Sequence, residues 1–280
     1  MLENQANSCN AIDKWSIFQQ NRGNEMAKII AISQHKGGTG KTITCVNLGA
    51  SLAELGKSVL LVDLDPQASM SISTGINPVD LEYSMHDVMG NQNFPMDKII
   101  KESEVPNLSV APSDITLALV EMQLASSIGR EKVLHKKLLP IKDQYDYIFL
   151  DSPPSLGLLT VNCLAAADNV IVPIQCHPLS LYGVKHLLQV VNTVREELNV
   201  DLSILGVLLT MYDKRTRLSQ DVAEKVRATF KDLVFNTIIN QRIKLAEGAM
   251  QGSPIIVYAP SSEGATEYRS LAKEVLERES

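Results

Sequence analysis

The sequence predicts an α/β fold, a mostly parallel twisted sheet with helices on both faces. Short apolar runs rich in Val and Ile recur along the chain, amphipathic stretches separate them, and a glycine-rich turn joins the first run to the first such stretch. Runs buried on both faces want parallel neighbours, and parallel neighbours require crossover helices. The predicted strands are 29–33, 59–63, 108–111, 147–151, 170–174 and 204–211. Between them the apolar spacing predicts helices over 41–55, 115–126, 179–197 and 219–230. The Asn, Pro and Gly cluster at 90–95 predicts a surface loop.

Composition narrows the class. A chain of 280 residues, 45% of them hydrophobic, is long enough to bury a full core. Its formal net charge of −6 gives no general attraction to nucleic acid or anionic lipid, so any such contact needs a local patch. Cys9, Cys45, Cys163 and Cys176 form no C-x-x-C pair, which argues against a metal scaffold or disulfide framework and suits a cytoplasmic protein. The first 25 residues hold five Asn and three Gln and no long apolar run, unlike a secretory leader. They are expected to form an N-terminal arm (1–25) ahead of a single domain (26–280). Ile12, Trp15 and Phe18 recur near helical spacing, so the arm either packs on its own domain or makes a dimer contact.

The sharpest local signal is Lys36-Gly37-Gly38-Thr39-Gly40-Lys41-Thr42, directly after a predicted strand and opening a predicted helix. Glycines let backbone N–H groups converge on phosphate oxygens, and the helix N-terminus adds partial positive charge. In such a loop Lys41 reaches the β- and γ-phosphates of ATP, and the Thr42 hydroxyl ligates Mg²⁺. Leu60-Leu61-Val62-Asp63-Leu64-Asp65 ends the second run at the carboxyl edge, where parallel sheets bind ligands. Alternation sends Asp63 and Asp65 to the same side. The run 147–151 closes on Asp151, followed by Ser152-Pro153-Pro154, and an apolar strand ending in Asp holds Mg²⁺ in many P-loop enzymes. Asp63, Asp151 and Thr42 are the expected metal set, in the octahedral shell that Mg²⁺ demands.

One departure from the general motif is informative. G-x-x-x-x-G-K-[ST] requires Gly at position 35, where His35 stands, and Lys36 opens the loop instead. With Lys36, the Asp63-x-Asp65-Pro66 strand end and Asp151-x-Pro153-Pro154, the chain resembles the ParA/MinD family of deviant Walker A ATPases. The resemblance runs from about 27 to 276 and includes Gly264-Ala265-Thr266-Glu267-Tyr268. It is nearest to the Soj/ParA branch, the DNA-segregation ATPases. It implies that Lys36 reaches the partner's nucleotide in an ATP-bound homodimer, that Asp65 positions the hydrolytic water, and that Asn47 lies near that water. Ile43 stands where the family usually has a second Thr, which leaves backbone contacts to the α-phosphate. The family usually reads I-P-R-N-V-R-L-S-E over 239–247; here Asn240 replaces Pro and Arg242 replaces Asn. By the same resemblance Met211, Asn240 and Arg242 lie near the adenine.

Membership of that branch also implies slow ATP hydrolysis, non-specific binding to double-stranded DNA on the nucleoid, and stimulation by a ParB-type centromere-binding partner. The DNA would need a basic surface. Between Asp213 and Glu247 stand eight Lys or Arg against five acids, a local +3. Arg215, Arg217, Lys225, Arg227, Lys231 and Lys244 are the candidates. The alternative is a MinD-like membrane switch in division-site placement. Such a switch normally ends in a basic amphipathic helix, whereas 271–280 is acidic, so no membrane contact is expected. Small partition ATPases of plasmids fit this size, and chromosomal Soj-like proteins fit almost as well.

Overall fold

The computed structural model describes residues 27–177 and 180–279; the arm over 1–25, with Trp15, lies outside them. Eight strands form one sheet: β1 (Lys28–Ile32), β2 (Val59–Asp63), β3 (Lys101–Glu102), β4 (Leu108–Ala111), β5 (Tyr147–Asp151), β6 (Asn169–Gln175), β7 (Ser203–Tyr212) and β8 (Val234–Asn240). Their spatial order is β3-β4-β2-β5-β1-β6-β7-β8, parallel throughout except for the β3–β4 pair at one edge. The crossovers carry α1 (Lys41–Glu54), α2 (Ser69–Ser73), α3 (Met85–Gly90), α4 (Val120–Gln123), α5 (Val133–Leu138), α6 (Leu158–Ala166), α7 (Ser180–Glu197) and α8 (Arg217–Phe230). After β8 come α9 (Ile243–Met250), α10 (Ile255–Tyr258) and α11 (Glu263–Arg278).

Strand alternation divides the core into two layers. Ile29 and Ala31 of β1 face the layer that holds Leu134, Cys163, Leu187 and Val226, from α5 to α8. Ile30 and Ile32 face the other, with Leu48 and Leu52 of α1 and Tyr268, Leu271 and Val275 of α11. All four of these β1 residues are buried, so a continuous apolar run is what the position demands. Each large aliphatic side chain fully buried here contributes about 1.5–3 kcal/mol before entropy is counted. Helix α1 is buried almost all round because α11 covers the side away from the sheet. Its approach to β2 is close: a Cβ on Gly49 would sit 2.6 Å from Leu61 Cδ2.

Each of the six predicted strands is present, within two residues at either end. Two more were not expected, β3 and β8. The 115–126 helix is a 3-10 segment, Ile115–Leu119, followed by the single turn of α4. Residues 91–95 form the expected loop, and the Lys137 ammonium pins it by donating to the carbonyls of Asn91, Gln92 and Phe94. At the opposite edge α11 seals β8. Glu274 accepts the N–H groups of Asn236 and Thr237, while Arg278 donates to the carbonyls of Leu205, Leu233 and Val234. Unpaired strand edges invite foreign strands, and these bonds occupy part of this one.

Candidate active site

Register brings the carboxylates and the glycine loop together. Ile32 pairs with Asp151, and Asp151 pairs with Asp63, so the ends of β1, β5 and β2 lie side by side. The loop 33–40 leaves β1 at this edge and turns into α1. Gly38 and Gly40 hold φ of 72° and 86°, a region that L side chains enter only with strain. Thr39 is buried, and its carbonyl accepts a 2.8 Å bond from the Thr210 hydroxyl of β7. Gly37 lies against Pro154, and Ser152 donates to the Ile32 carbonyl, so the loops after β1 and β5 are stitched to each other.

Lys41, the first residue of α1, is buried. Burial lowers its pKa, and the charges of Asp151 and Asp65 oppose that shift. Thr42 donates a 2.7 Å hydrogen bond to Asp151 Oδ2. The other oxygen, Asp151 Oδ1, is buried with no hydrogen-bond partner. Its pKa is raised, first by burial and then by the Asp63 charge. A buried carboxylate with a free oxygen costs stability unless a cation compensates it. Thr42 and Asp151 therefore fit a hard divalent cation on chemical grounds: two oxygen donors, already in contact, one of them short of a partner.

Asp63 is differently employed. Its Oδ1 accepts from the Asp65 N–H, and its Oδ2 accepts from both the N–H and the hydroxyl of Ser71. Burial still pushes its pKa up to about 6. Three internal bonds make Asp63 the brace of the β2–α2 turn, and the structure does not present it as a free metal ligand like Asp151. Asp65, nearly buried, accepts from the Gln67 N–H and lies close enough to act electrostatically on Lys41 and Asp151.

Asn47 also departs from expectation. Its Nδ2 donates to the Ile43 carbonyl one turn back, and its Oδ1 accepts the Ile255 N–H at the start of α10. The amide is 4% exposed and ties α1 to α10, with its oxygen already in use. Lys36 is half-buried in the loop.

Beside Gly40 opens an apolar cavity of about 340 Å³. Met211, Asn240 and Arg242 all line it, together with Ile43, Gln241 and Tyr268. Met211 holds a φ of 50°, bending the end of β7 around this space. Sequence reasoning missed the residue that arranges the wall. Glu267, on α11, accepts from the Asn240 N–H and Nδ2 and from Arg242 Nη2. Glu263 pairs with the other terminal nitrogen of Arg242, and Arg242 Nε is buried without a partner.

The basic segment is not one patch. Arg215 clamps Asp213 with two guanidinium bonds, and Arg242 is held by Glu263 and Glu267. The Arg215 side chain stays largely exposed despite its pair, whereas that of Arg242 is mostly covered. Arg217, Lys225 and Arg227 are exposed on α8, and Lys231 is exposed just after it. Arg227 and Lys231 share a polar cleft with Asn236 and Arg278. Lys244 is exposed on α9, a separate element whose Ile243 and Leu245 line the apolar cavity.

Known proteins align over nearly all the described chain. The AAA domain family model matches residues 27–204. The sporulation initiation inhibitor protein Soj of Bacillus subtilis is 49% identical over 250 residues, 89% of this chain and 98% of that protein. The chromosome-partitioning ATPase Soj of Treponema pallidum is 42% identical over 254 residues, 91% of this chain and 99% of its own. Among solved structures, cobyrinic acid a,c-diamide synthase from Mycobacterium smegmatis with bound ADP and magnesium superposes with a TM-score of 0.80. It is 35% identical, over 90% of this chain and 94% of that one.

Proposed function

The chain belongs to the ParA/MinD family of P-loop ATPases and aligns with its Soj/ParA partition branch; from that premise we propose an ATP-dependent DNA partition ATPase whose ATP-bound homodimer binds DNA without sequence preference. In this reading residues 26–280 form one ATPase domain. A ParB-type centromere-binding protein stimulates hydrolysis and so releases the dimer from the nucleoid.

The observation that carries the reading is the buried Lys41, set at a helix N-terminus among Asp65 and Asp151, with an unpartnered carboxylate oxygen and an apolar cavity on either side of the loop. Loop N–H groups and Lys41 bind the phosphates, and the cavity takes the base. Thr42 and Asp151 would hold Mg²⁺, which would supply neutralising charge to the phosphate oxygens. Asp65 orients the attacking water by accepting its proton in a hydrogen bond. Asp63 keeps Asp65 in place through the bond from the Asp65 N–H. Lys36 completes the charge set from the partner subunit, so turnover is slow in a monomer.

DNA contact falls to Arg217, Lys225, Arg227 and Lys231, with Lys244 as a separate contribution. Two copies in a dimer double the phosphate contacts, which couples nucleotide state to DNA affinity. The membrane alternative finds no support in the terminal helix. Leu271, Ala272 and Val275 of α11 are buried against the sheet, so its apolar face is already covered. Among the described residues, no helix is long and apolar enough to cross a membrane.

The deciding experiment is binding to random-sequence duplex DNA with ATP, ADP or no nucleotide across a salt series. Tight, salt-sensitive binding with ATP alone is expected. Absence of binding in every state, with ATP-dependent sedimentation on anionic vesicles instead, would replace partition with a membrane switch.

A further inference from the structure

We infer that Glu267 is a specificity-determining residue, which fixes the Asn240 side-chain amide so that its oxygen is offered to the base cavity and selects a 6-amino purine over a 6-oxo purine. The inference rests on the nucleotide reading above and adds to it the basis of base choice.

The geometry begins with an asymmetric partner. A carboxylate only accepts hydrogen bonds. Glu267 Oε2 takes the Asn240 backbone N–H at 3.0 Å, and Oε1 takes the Asn240 Nδ2 at 2.8 Å. Side-chain amides are ambiguous when either end could meet the same neighbour. Here only the NH₂ end can face Glu267, so the orientation is settled by chemistry. Arg242 Nη2 donates to the same Oε1 at 2.9 Å, and the Glu267 side chain is 13% exposed. Three donors on one largely buried carboxylate leave it little freedom to turn.

What remains is the amide oxygen. Asn240 and Arg242 line the cavity beside Gly40, whose other walls are largely apolar. Among the described residues no group donates to the Asn240 oxygen, and it is not among the buried atoms left without a partner, so it is accessible on a residue that lines the cavity. In a largely apolar cavity a fixed acceptor discriminates strongly. A base presenting an amino donor satisfies it, whereas a base presenting a carbonyl leaves two acceptors opposed and unpaired. Adenine carries the amino group at position 6; hypoxanthine and guanine carry the oxygen. Proline, the usual family residue at 240, has neither the side-chain amide nor the N–H that Glu267 engages. The Asn240 half of the device thus departs from the family's usual sequence, while Glu267 lies in a stretch that resembles it.

The test compares ATP with ITP, in which the 6-amino group becomes a 6-oxo group and N1 gains a proton. Dissociation constants are measured with Mg²⁺ for wild type, Glu267→Gln and Asn240→Ala, each checked for folding by thermal melting. Wild type should bind ITP at least about 10-fold more weakly than ATP. In Glu267→Gln the new amide can donate as well as accept, so Asn240 is free to flip, and the ratio should fall to within about 3-fold. Asn240→Ala removes the acceptor and should give the same collapse even if Glu267→Gln fails to fold. Equal weakening of ATP and ITP, with the ratio preserved, would mean a merely structural role and overturn the inference, as would a wild-type ratio near one. Wild type binding neither nucleotide would instead refute the ATPase reading beneath it.

Discussion

The proposed phosphate half of the site lies at the ends of β1, β2 and β5; the proposed base half lies between β7, β8 and α11. In the first, the proposed phosphate ligands are mostly backbone N–H groups of a turn with two positive-φ glycines, with charge supplied by Lys41, Asp65 and Asp151. In the second, the walls are apolar side chains, and polarity comes from one cluster, Asn240, Arg242 and Glu267. A backbone turn tolerates few substitutions, because L side chains enter the positive φ of Gly38 and Gly40 only with strain. A side-chain wall can change residue by residue, and here it has, at 240 and 242. The difference teaches where affinity and where selectivity should reside.

Lys41→Ala breaks the comparison most sharply. It should lower ATP affinity at least about 100-fold, since a charge-assisted contact to phosphate is lost in a buried setting. Unchanged affinity by titration calorimetry would remove the phosphate half from nucleotide binding. Asp65→Ala tests chemistry apart from binding. Turnover should fall about 100-fold, as for loss of a water-positioning acid, while ATP stays bound and the dimer accumulates. Wild-type turnover would transfer the role to another carboxylate. Lys36→Ala should keep ATP affinity within about 3-fold yet weaken ATP-induced dimerisation roughly 10-fold, the loss of one ion contact. Intact ATP dimers in sedimentation would confine Lys36 to its own subunit.

The smallest effect separates site from scaffold. Asn47→Ala should leave ATP binding nearly unchanged but cost about 1–3 kcal/mol in urea unfolding, because the Ile255 N–H loses its buried partner. Unaltered stability together with impaired hydrolysis would return Asn47 to the phosphate half.

The same division governs what the sequence disclosed. The phosphate half was legible because motif, strand end and helix start coincide within single stretches: Lys36 to Thr42, Asp63 to Asp65, Asp151 to Pro154. Fold class was legible for a related reason, since central parallel strands are unbroken apolar runs. Edge strands are not. β8 reads Val-Phe-Asn-Thr-Ile-Ile-Asn with an exposed Asn236, and β3 is two exposed residues paired to β4. Helix α6 escaped notice because Leu158–Ala166 is apolar nearly all round, which erases the helical period. Asp63 and Asn47 kept their family positions in sequence, but only coordinates reveal which oxygens the chain has already used. Glu267 was visible as a letter beside Tyr268, yet its effect depends on a contact across 27 residues. Counting charges from 213 to 247 likewise overlooked Glu263 and Glu267, which pair with Arg242 from outside that stretch.

The placement of β1 between β5 and β6 bears on how the molecule comes into being on the ribosome. Ile32 waits for Asp151, its register partner 119 residues later (151 − 32), and no earlier strand adjoins β1. At cellular elongation rates of about 5–20 residues per second, that interval is roughly 6–24 s. Throughout it a strand of five mostly apolar residues, already carrying the glycine loop, has both edges unpaired. The nascent chain thus passes through a period in which an apolar, unpaired strand is complete and its binding site cannot yet exist. Nucleotide can stabilise the protein only after residue 151 has emerged and paired, which makes the second half of synthesis the stage at which ligand first influences folding.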